Sequence, residues 1–375
     1  MNAVLSNRLP QMMSENVSAD SAPSSMTIDS NRLAAAARAF TTRRVSFSRV
    51  TTLLLDVLPV PGQVVLARVR RLGHHTRLQD RHGRRVTLFP GDEIIVCYGE
   101  RYAPQQFEGR LPAALGPCHL VASGGVAAQA VSWHRRISRG PTEIDVLGVL
   151  GDTDGRALTI DRFRLAAPAI RRRPNTVIAV AGTSMDSGKT TTAAYFVRGL
   201  TKAGLRVGAA KITGTGACND YYLMRDAGAV RVVDFTDAGF VSTFGLDLVD
   251  IDSIYASLLN ELCVADVDVA VIEIADGLQQ SETARLLSDD EFRQSLDGVI
   301  FCAQDAMGAS AGVDWLTARS HNVLAVSGVL SAAPLAIRET CELVAAPVLG
   351  TDGLSERSIA LGLIDSAKSA KGHPR

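Results

Sequence analysis

A run of small and polar residues beginning at Gly182 carries the clearest chemical signal in the sequence. It reads VAGTSMDSGKTTTA over 180–193, and five residues separate Gly182 from Gly188. Glycines let backbone N–H groups approach a phosphate, a lysine can reach the terminal phosphates, and a threonine hydroxyl can bind Mg²⁺. The usual phosphate-binding loop has four residues between its glycines, so this one is a residue longer. The expected nucleotide-binding residues are Gly182, Thr183, Asp186, Ser187, Gly188, Lys189, Thr190 and Thr191.

Two further charged residues stand where apolar strands are expected to end. Lys211 closes the segment RVGAAK, and Glu273 lies near the end of VDVAVIEI. Ligands bind at the carboxyl ends of strands in open α/β sheets. We therefore expect Lys189 and Lys211 to neutralise developing phosphate charge, and Thr190 and Glu273 to hold Mg²⁺.

Several polar residues near these strands complete the list of candidates. Asp220 is the candidate third magnesium ligand. The candidate substrate-binding residues are Thr213, Thr215, Asp234 and Asp237. Each acid also has a simpler interpretation as a surface or capping residue, since aspartate commonly caps helices and turns.

The loop and the strands after it resemble those of dethiobiotin synthetase. GTSMDSGKTTTA is similar to that family's G-T-x4-G-K-T loop, LRVGAAKITGTG (205–216) to its second strand, and DVAVIEIADG (268–277) to its acidic segment. The resemblance places Lys211, Thr215 and Glu273 at matching positions, and APVLG (346–350) near the adenine. It implies a P-loop NTPase that uses ATP and Mg²⁺ to activate a small carboxylate or carbamate substrate, as a ligase or kinase.

The resemblance covers about 175–365 and has departures. Ser327 stands where the family has a purine-contacting asparagine, Ser184 replaces an acid, and residues 216–244 have no counterpart. Dethiobiotin synthesis itself is therefore not expected. The alternative within the wider superfamily is an NTP-dependent switch or a metal or cofactor maturation factor that acts on a protein partner. The superfamily often works as dimers, which leaves a homodimer open.

The pattern after residue 175 predicts the elements that position these residues. Apolar runs alternate with helical periodicity, which indicates a doubly wound, mainly parallel α/β sheet. The expected strands are 176–182, 206–211, 267–274, 297–303 and 322–329, and the expected helices are 189–203, 250–264, 310–320 and 334–344. We prefer ATP to GTP because no [NT]KxD guanine-reading motif follows the late strands.

Residues 46–170 have a different pattern, typical of a small antiparallel β-barrel or sandwich. Short β-branched runs are broken by turn pairs such as Pro61-Gly62 and Pro90-Gly91. The second part of 116–136 looks helical. Residues 1–45 are expected to be a disordered tail with a short helix over 31–44, and 175–370 to be the P-loop NTPase domain.

The net charge of zero hides an asymmetry between the two halves of the chain. Residues 1–175 contain 24 arginines, no lysine and 14 acids, whereas residues 176–375 have 15 basic and 25 acidic residues. We expect some arginines of the first half to face the acidic second half across the mouth of the site. RNA binding by a barrel usually needs exposed stacking aromatics, and the arginine-rich stretch has only Phe89 and Tyr98 nearby. Nucleic acid is therefore not an expected partner.

Bulk composition places the chain in a broad class. With 46% hydrophobic and 21% charged residues, it is neither fibrous nor wholly disordered. No apolar run approaches the ~20 residues that span a bilayer. The start of the sequence lacks the order of a secretory signal, and the six cysteines form no CxxC pair. We therefore expect a cytoplasmic protein that binds a nucleotide and a small molecule, whose identity the sequence leaves open.

Overall fold

The computed structural model describes residues 24–166, 168 and 170–370; the part of the predicted tail over 1–23 lies outside them. Two main sheets organise the described residues, one before residue 153 and one after residue 175. We call the parts around them the barrel half (24–166) and the P-loop half (176–370). The exact domain boundaries stay a prediction.

The barrel half consists mainly of short strands. They are β1 (Ser25–Thr27), β2 (Ala37–Arg38), β3 (Val50–Leu54), β4 (Val64–Arg71), β5 (Arg77–Gln79), β6 (Arg85–Thr87), β7 (Glu93–Tyr98), β8 (Phe107–Arg110), β9 (Pro117–Ala122), β10 (Val126–Trp133) and β11 (Thr142–Asp152). Helix α1 (Ser30–Ala35) and 3₁₀ turns at Phe40–Thr42 and Ile160–Phe163 accompany them.

Some of these strands close into a barrel. The pairings run in a circuit from β4 to β7, β10, β9 and β11 and back to β4. All are antiparallel except β7 with β10, which is parallel. Closure leaves these strands without a free edge. The predicted antiparallel β-region is thus present.

Alternation along the strands divides the apolar side chains between two cores. On β4, Val64 and Leu66 pack in one cluster with Phe107, whereas Val65 and Ala67 pack in the other. Successive side chains of a strand point to opposite faces, so both faces of this part of the sheet are covered.

The expected tail does not hold for residues 24–45, which are ordered. β1 pairs with β3, and Asp29 caps α1 by accepting a hydrogen bond from the backbone N–H of Asn31. Phe40 is fully buried. The tail was expected because this segment has little periodicity of its own; its order comes from contacts with distant strands.

The helix expected in the second part of 116–136 is wrong, because residues 126–133 form strand β10. Three alanines of this strand, at 127, 128 and 130, suggested a helix. β10 pairs with β7, β8 and β9, so tertiary pairing overrides the helical preference of alanine.

The P-loop half is an α/β structure. Its strands are β12 (Thr176–Gly182), β13 (Val207–Lys211), β14 (Arg231–Asp234), β15 (Val269–Glu273), β16 (Gly298–Cys302) and β17 (Val323–Ser327). Its helices are α2 (Lys189–Lys202), α3 (Cys218–Asp226), α4 (Leu248–Val264), α5 (Ser281–Ser288), α6 (Asp290–Ser295), α7 (Ala306–Thr317), α8 (Pro334–Leu343), α9 (Thr351–Leu354) and α10 (Arg357–Ala370). A 3₁₀ turn follows β17 at Val329–Ala332.

The strands of this sheet all run parallel, in the order β14, β13, β15, β12, β16, β17. The expected α/β fold with a mainly parallel sheet is therefore confirmed. Every residue of β12 is buried, and apolar cores cover both faces of the sheet. Lys211 and Glu273 are register partners at the carboxyl ends of β13 and β15. Parallel order thus brings together two charges that are far apart in the sequence.

Arginines of the first part of the chain do pair with acids of the second. The Arg43 guanidinium lies 2.9 Å from Asp234 Oδ1 and 2.6 Å from Asp237 Oδ2. On the connecting segment, Arg173 pairs with Asp297 at 3.1 Å. Asp234, Asp237 and Arg43 are not among the residues that line the main cavity described below. The attraction is present, but these pairs are not at the mouth of the site. Among the described helices, none is long and apolar enough to cross a membrane.

Candidate active site

The loop between β12 and α2 is shaped by its two glycines. Gly188 has φ +95°, in the left-handed region, and a Cβ there would lie 2.9 Å from Gly328 Cα. A Cβ at Gly182 would lie 2.8 Å from the carbonyl oxygen of Cys302. Neither position has room for a side chain, so the sequence needs glycine at both. The loop then enters α2 at Lys189, and the N-terminus of that helix faces the cavity side of the loop.

Lys189 is folded into the loop. It is only 6% exposed, and its Nζ donates a hydrogen bond of 2.6 Å to the carbonyl oxygen of Ser184. Burial lowers the pKa of Lys189, and Glu273 partly opposes that shift. A cation held in a desolvated loop beside backbone N–H groups is suited to binding phosphate oxygens.

Thr190, Glu273, Lys211 and Asp220 form a continuous polar chain. Thr190 Oγ1 donates to Glu273 Oε1 at 3.0 Å, and Lys211 Nζ lies 3.3 Å from the same oxygen. Lys211 Nζ also pairs with Asp220 Oδ2. Burial opposes the charge on Lys211, but the attraction of Asp220 and Glu273 raises its pKa above the usual value. Burial raises the pKa of Glu273. The structure therefore brings together the residues that were predicted to bind magnesium and phosphate.

The donor set in this chain fits a magnesium ion. Glu273 Oε2 is buried and has no hydrogen-bond partner among the described residues, so one hard oxygen is available. The described residues contain no group of three His, Cys, Asp or Glu side chains placed to hold a metal ion. Mg²⁺ commonly binds one or two carboxylates together with substrate phosphates and water, and does not require an all-protein cage. Thr190, Glu273 and Asp220 are the residues that would hold it.

A cavity of about 580 Å³ opens beside the loop. One wall comes from the P-loop half and includes Asp186, Lys189, Lys211 and Asp276. The opposite wall comes from the barrel half. The volume is in the range of small-molecule sites. The sequence assigned every candidate site residue to the second half and predicted that arginines of the first half would face it across the mouth of the site; Arg101 is an arginine of the first half that lines this cavity.

The barrel wall centres on Arg101, three residues after the end of β7. Its guanidinium donates to the carbonyl oxygen of Val121 and, at 2.8 Å, to Gln106 Oε1. His75 Nε2 lies 3.0 Å from the same Val121 oxygen and 3.5 Å from Arg101. Burial, followed by repulsion from Arg101, lowers the pKa of His75 to about 3, so the imidazole is neutral. The sequence carries only a weak signal for this residue, since it follows the apolar strand EIIVCYG with one acid, Glu100, in between.

The remaining predicted residues divide into three groups. Thr191 and Thr215 line the cavity with Gly188 and Asp186. Thr183, Ser187 and Gly182 lie in the loop but outside the cavity lining, and Thr213 Oγ1 accepts a hydrogen bond of 2.8 Å from the Ala275 backbone N–H.

Asp234 and Asp237 were predicted to bind substrate, and the structure places them away from the cavity. They are not in the lining of the cavity, and Arg43 pairs with both carboxylates. The sequence predicts substrate residues here because two acids bracket the end of a short strand. Asp234 is the register partner of Lys211, but both carboxylates pair with Arg43, which belongs to the segment expected to be a tail.

The fold and the loop define the class of the second half: a P-loop NTPase fold, with a parallel sheet, a phosphate-binding loop and an acid on the neighbouring strand. No protein-family model and no curated protein matches the sequence. Similar solved structures include the signal recognition particle receptor FtsY from Elizabethkingia anophelis, at 16% identity and TM-score 0.36, covering 54% of this chain and 68% of that one.

Two further structures give similar values. The signal recognition particle 54 kDa protein from Aeropyrum pernix K1, in complex with GDP, has 18% identity and TM-score 0.36, covering 54% of this chain and 51% of that one. The cell division protein ftsY from Thermotoga maritima has 15% identity and TM-score 0.30, covering 56% and 62%. These likenesses are too weak to indicate what this chain binds. The resemblance to dethiobiotin synthetase stays a prediction.

Proposed function

We propose that the protein binds ATP and Mg²⁺ in the loop of residues 182–191 and transfers a phosphoryl group to a small acceptor in the adjoining cavity. The observation that carries the proposal is the shared lining of that cavity. Lys189, Thr190, Lys211 and Glu273 face it from one side, and a second wall closes it from the other. Phosphoryl transfer depends on positioning and on neutralising charge, and such a site supplies both.

Five residues of the P-loop wall have a role in this proposal. Lys189 and the N–H groups of the loop bind the terminal phosphates, and Lys211 neutralises charge on the group being transferred. Thr190, Glu273 and Asp220 would hold Mg²⁺, which neutralises phosphate charge when bound. Lys211 already pairs with Asp220 and Glu273, so its ammonium is held at the strand end by both carboxylates.

ATP is preferred to GTP because no guanine-reading motif follows the late strands. A carboxylate or carbamate acceptor follows from the resemblance stated above. The alternative is a nucleotide-dependent switch or maturation factor that acts on a protein partner. A cytoplasmic location and a homodimer also remain proposals.

Replacing Lys189 with alanine tests the nucleotide site. We expect Lys189→Ala to weaken ATP binding by at least about tenfold, because charge-assisted hydrogen bonds to phosphate contribute roughly 1.5–3 kcal/mol. Calorimetric titration with ATP and with GTP, each with Mg²⁺ and with EDTA, measures the effect and the base preference. Lys202 at the other end of α2 is the matched control, since it is exposed and contacts the carbonyl oxygen of Ser355.

The outcomes separate the two functions. Unchanged ATP affinity in Lys189→Ala would refute the proposed site, and a tighter fit for GTP would refute the base preference. Consumption of ATP that requires a small carboxylate, with a phosphorylated or ligated product, supports phosphoryl transfer. Slow hydrolysis with no acceptor, an oligomeric state that changes with nucleotide and stimulation by a protein partner would support the switch instead.

A further inference from the structure

Arg101 is a buried cation without a counter-charge. Its residue is 6% exposed, and no carboxylate of the described residues lies within ion-pairing distance of its guanidinium. The contacts it makes are to neutral groups, namely the Val121 carbonyl, Gln106 and the neutral His75. Its Nε is buried and has no hydrogen-bond partner in the described part of the chain. Burying a charge without a partner is costly, so such an arrangement needs an explanation.

Arg43 is a largely buried arginine of the same chain that has a structural role, and it provides a comparison for Arg101. The Arg43 side chain is 11% exposed and pairs with two carboxylates, those of Asp234 and Asp237. Those acids raise its pKa despite burial, whereas burial lowers the pKa of Arg101 to about 10. The difference lies in the surroundings, because both side chains are largely removed from solvent. Arg101 lacks the anion that Arg43 has.

The position of Arg101 indicates where that anion comes from. Arg101 lines the same cavity as Lys189 and Lys211, but from the barrel wall. Asp276, on the opposite wall, is the acid that attracts Arg101 most strongly, yet this carboxylate forms no ion pair with it and is attracted more strongly by Lys189 and Lys211 on its own wall. The phosphate side of the cavity has two lysines and the loop N–H groups, so the nucleotide phosphates do not require Arg101.

We propose that Arg101 binds an oxyanion group, a carboxylate, of the second small molecule that shares this cavity with the nucleotide. A planar guanidinium presents donors in a fork that matches a carboxylate in geometry. The neighbouring Gln106 and His75 are uncharged, so they orient Arg101 without neutralising it. The inference rests on the proposed function and deepens it, since it assigns acceptor recognition to the barrel half and phosphate binding to the P-loop half.

The test uses the full chain with its nucleotide site filled by Mg²⁺ and AMP-PNP. Acetate, malonate, succinate and inorganic phosphate are titrated separately and their binding is measured by calorimetry. We expect a carboxylate to bind the unmodified protein, and Arg101→Gln to weaken that binding at least about tenfold while AMP-PNP and ADP affinities stay unchanged. Arg101→Lys keeps the charge but loses the fork, and we expect an intermediate affinity.

Arg110→Gln is the control, because Arg110 lies at the exposed end of β8, pairs with Glu100 and Glu108, and does not line the cavity. Equal carboxylate binding by Arg101→Gln and the unmodified protein would overturn the proposal, as would the absence of binding by any of the four probes. A loss of AMP-PNP affinity with ADP affinity retained would assign Arg101 to the terminal phosphate of the nucleotide instead. Failure of AMP-PNP itself to bind the unmodified protein would refute the nucleotide site, and is thereby distinguished from a failure at Arg101. Circular dichroism of each variant checks that it is folded, and Arg101→Lys carries the test if Arg101→Gln is not.

Discussion

Arg43 is the residue whose removal we expect to cost the most stability for the least change in the active site. It joins the 3₁₀ turn of the barrel half to the acids at the end of β14 in the P-loop half. Its guanidinium also lies 4.1 Å from the Phe40 ring centroid. Arg43→Ala removes the nearest cation from two carboxylates that are each at most 7% exposed, and leaves Asp237 only the longer pair with Arg44 at 3.8 Å.

The magnitude follows from burial. Removing one partner of a buried ion pair costs about 3–5 kcal/mol, because the remaining charge has lost its compensation but not its desolvation. Asp234 and Asp237 keep hydrogen bonds from backbone N–H groups. We therefore expect the free energy of unfolding to fall by about 3 kcal/mol, the lower end of this range. Urea denaturation measures it, using the chain's two tryptophans: Trp133 in the barrel half and Trp315 in the P-loop half. Trp133→Phe and Trp315→Phe backgrounds isolate each signal.

Arg49 supplies the control for this experiment. It pairs with Asp154 at 3.0 Å, but both side chains are more than half exposed. Exposed pairs contribute at most about 1 kcal/mol, so Arg49→Ala should change the free energy of unfolding little. If Arg43→Ala were no more destabilising than Arg49→Ala, the argument from burial would be refuted. A recovery of stability when Asp237→Asn is added to Arg43→Ala would identify the unpaired carboxylate as the cause.

Two other substitutions test the barrel wall and the loop. Burial lowers the pKa of His75 from 6.5 in the unfolded chain to about 3 in the folded one. Below pH 6.5 the unfolded chain therefore binds a proton at His75 that the folded chain does not bind. His75 alone should therefore contribute a loss of stability of about 1.4 kcal/mol per pH unit between about pH 6 and 4. His75→Gln should reduce the slope of the denaturation free energy against pH by that amount, whereas a change at the exposed His82 should leave the slope as it is. Gly328 has φ +99° and a Cβ there would lie 2.8 Å from Ala303 N, so Gly328→Ala should lower the Tm and abolish ATP binding in calorimetry. Gly362 in α10 has open space around its Cα, and Gly362→Ala should stabilise by about 0.5–1 kcal/mol; equal effects of the two alanines would contradict this reasoning.

The P-loop half could be predicted closely because its signals are local. Continuous apolar runs between helical patterns predicted strands at 176–182 and 297–303, and the structure has them at Thr176–Gly182 and Gly298–Cys302. The helix expected over 189–203 is observed at Lys189–Lys202. The meeting of Lys211 with Glu273 followed from parallel strand order, a rule that needs no knowledge of distant contacts.

The roles of Arg43 and Arg101 could not be predicted because they depend on what the folded chain places beside them. Both are single arginines in a half that has many, and nothing in the sequence distinguishes an arginine paired with two acids from one paired with none. Strand β10 was missed for the same reason, since its pairing with three other strands outweighs its alanine content. The acids at 234 and 237 were visible, but their partner lay almost 200 residues earlier in the chain.

Helix α3 carries contacts in two directions. Asp220 pairs with Lys211 at the phosphate side, while the adjacent Asn219 Oδ1 accepts hydrogen bonds from Gln79 at 3.3 Å and from Arg85 at 3.2 Å in the barrel half. A ligand that competes for Lys211 or Asp220 therefore binds next to the turn of helix α3 whose Asn219 contacts the barrel half. Thermodynamic linkage makes the effect reciprocal. If ligand binding changes the free energy of the contact between the two halves, a mutation that weakens this contact changes the ligand affinity. The ligand affinity therefore depends on how strongly the two halves are held together.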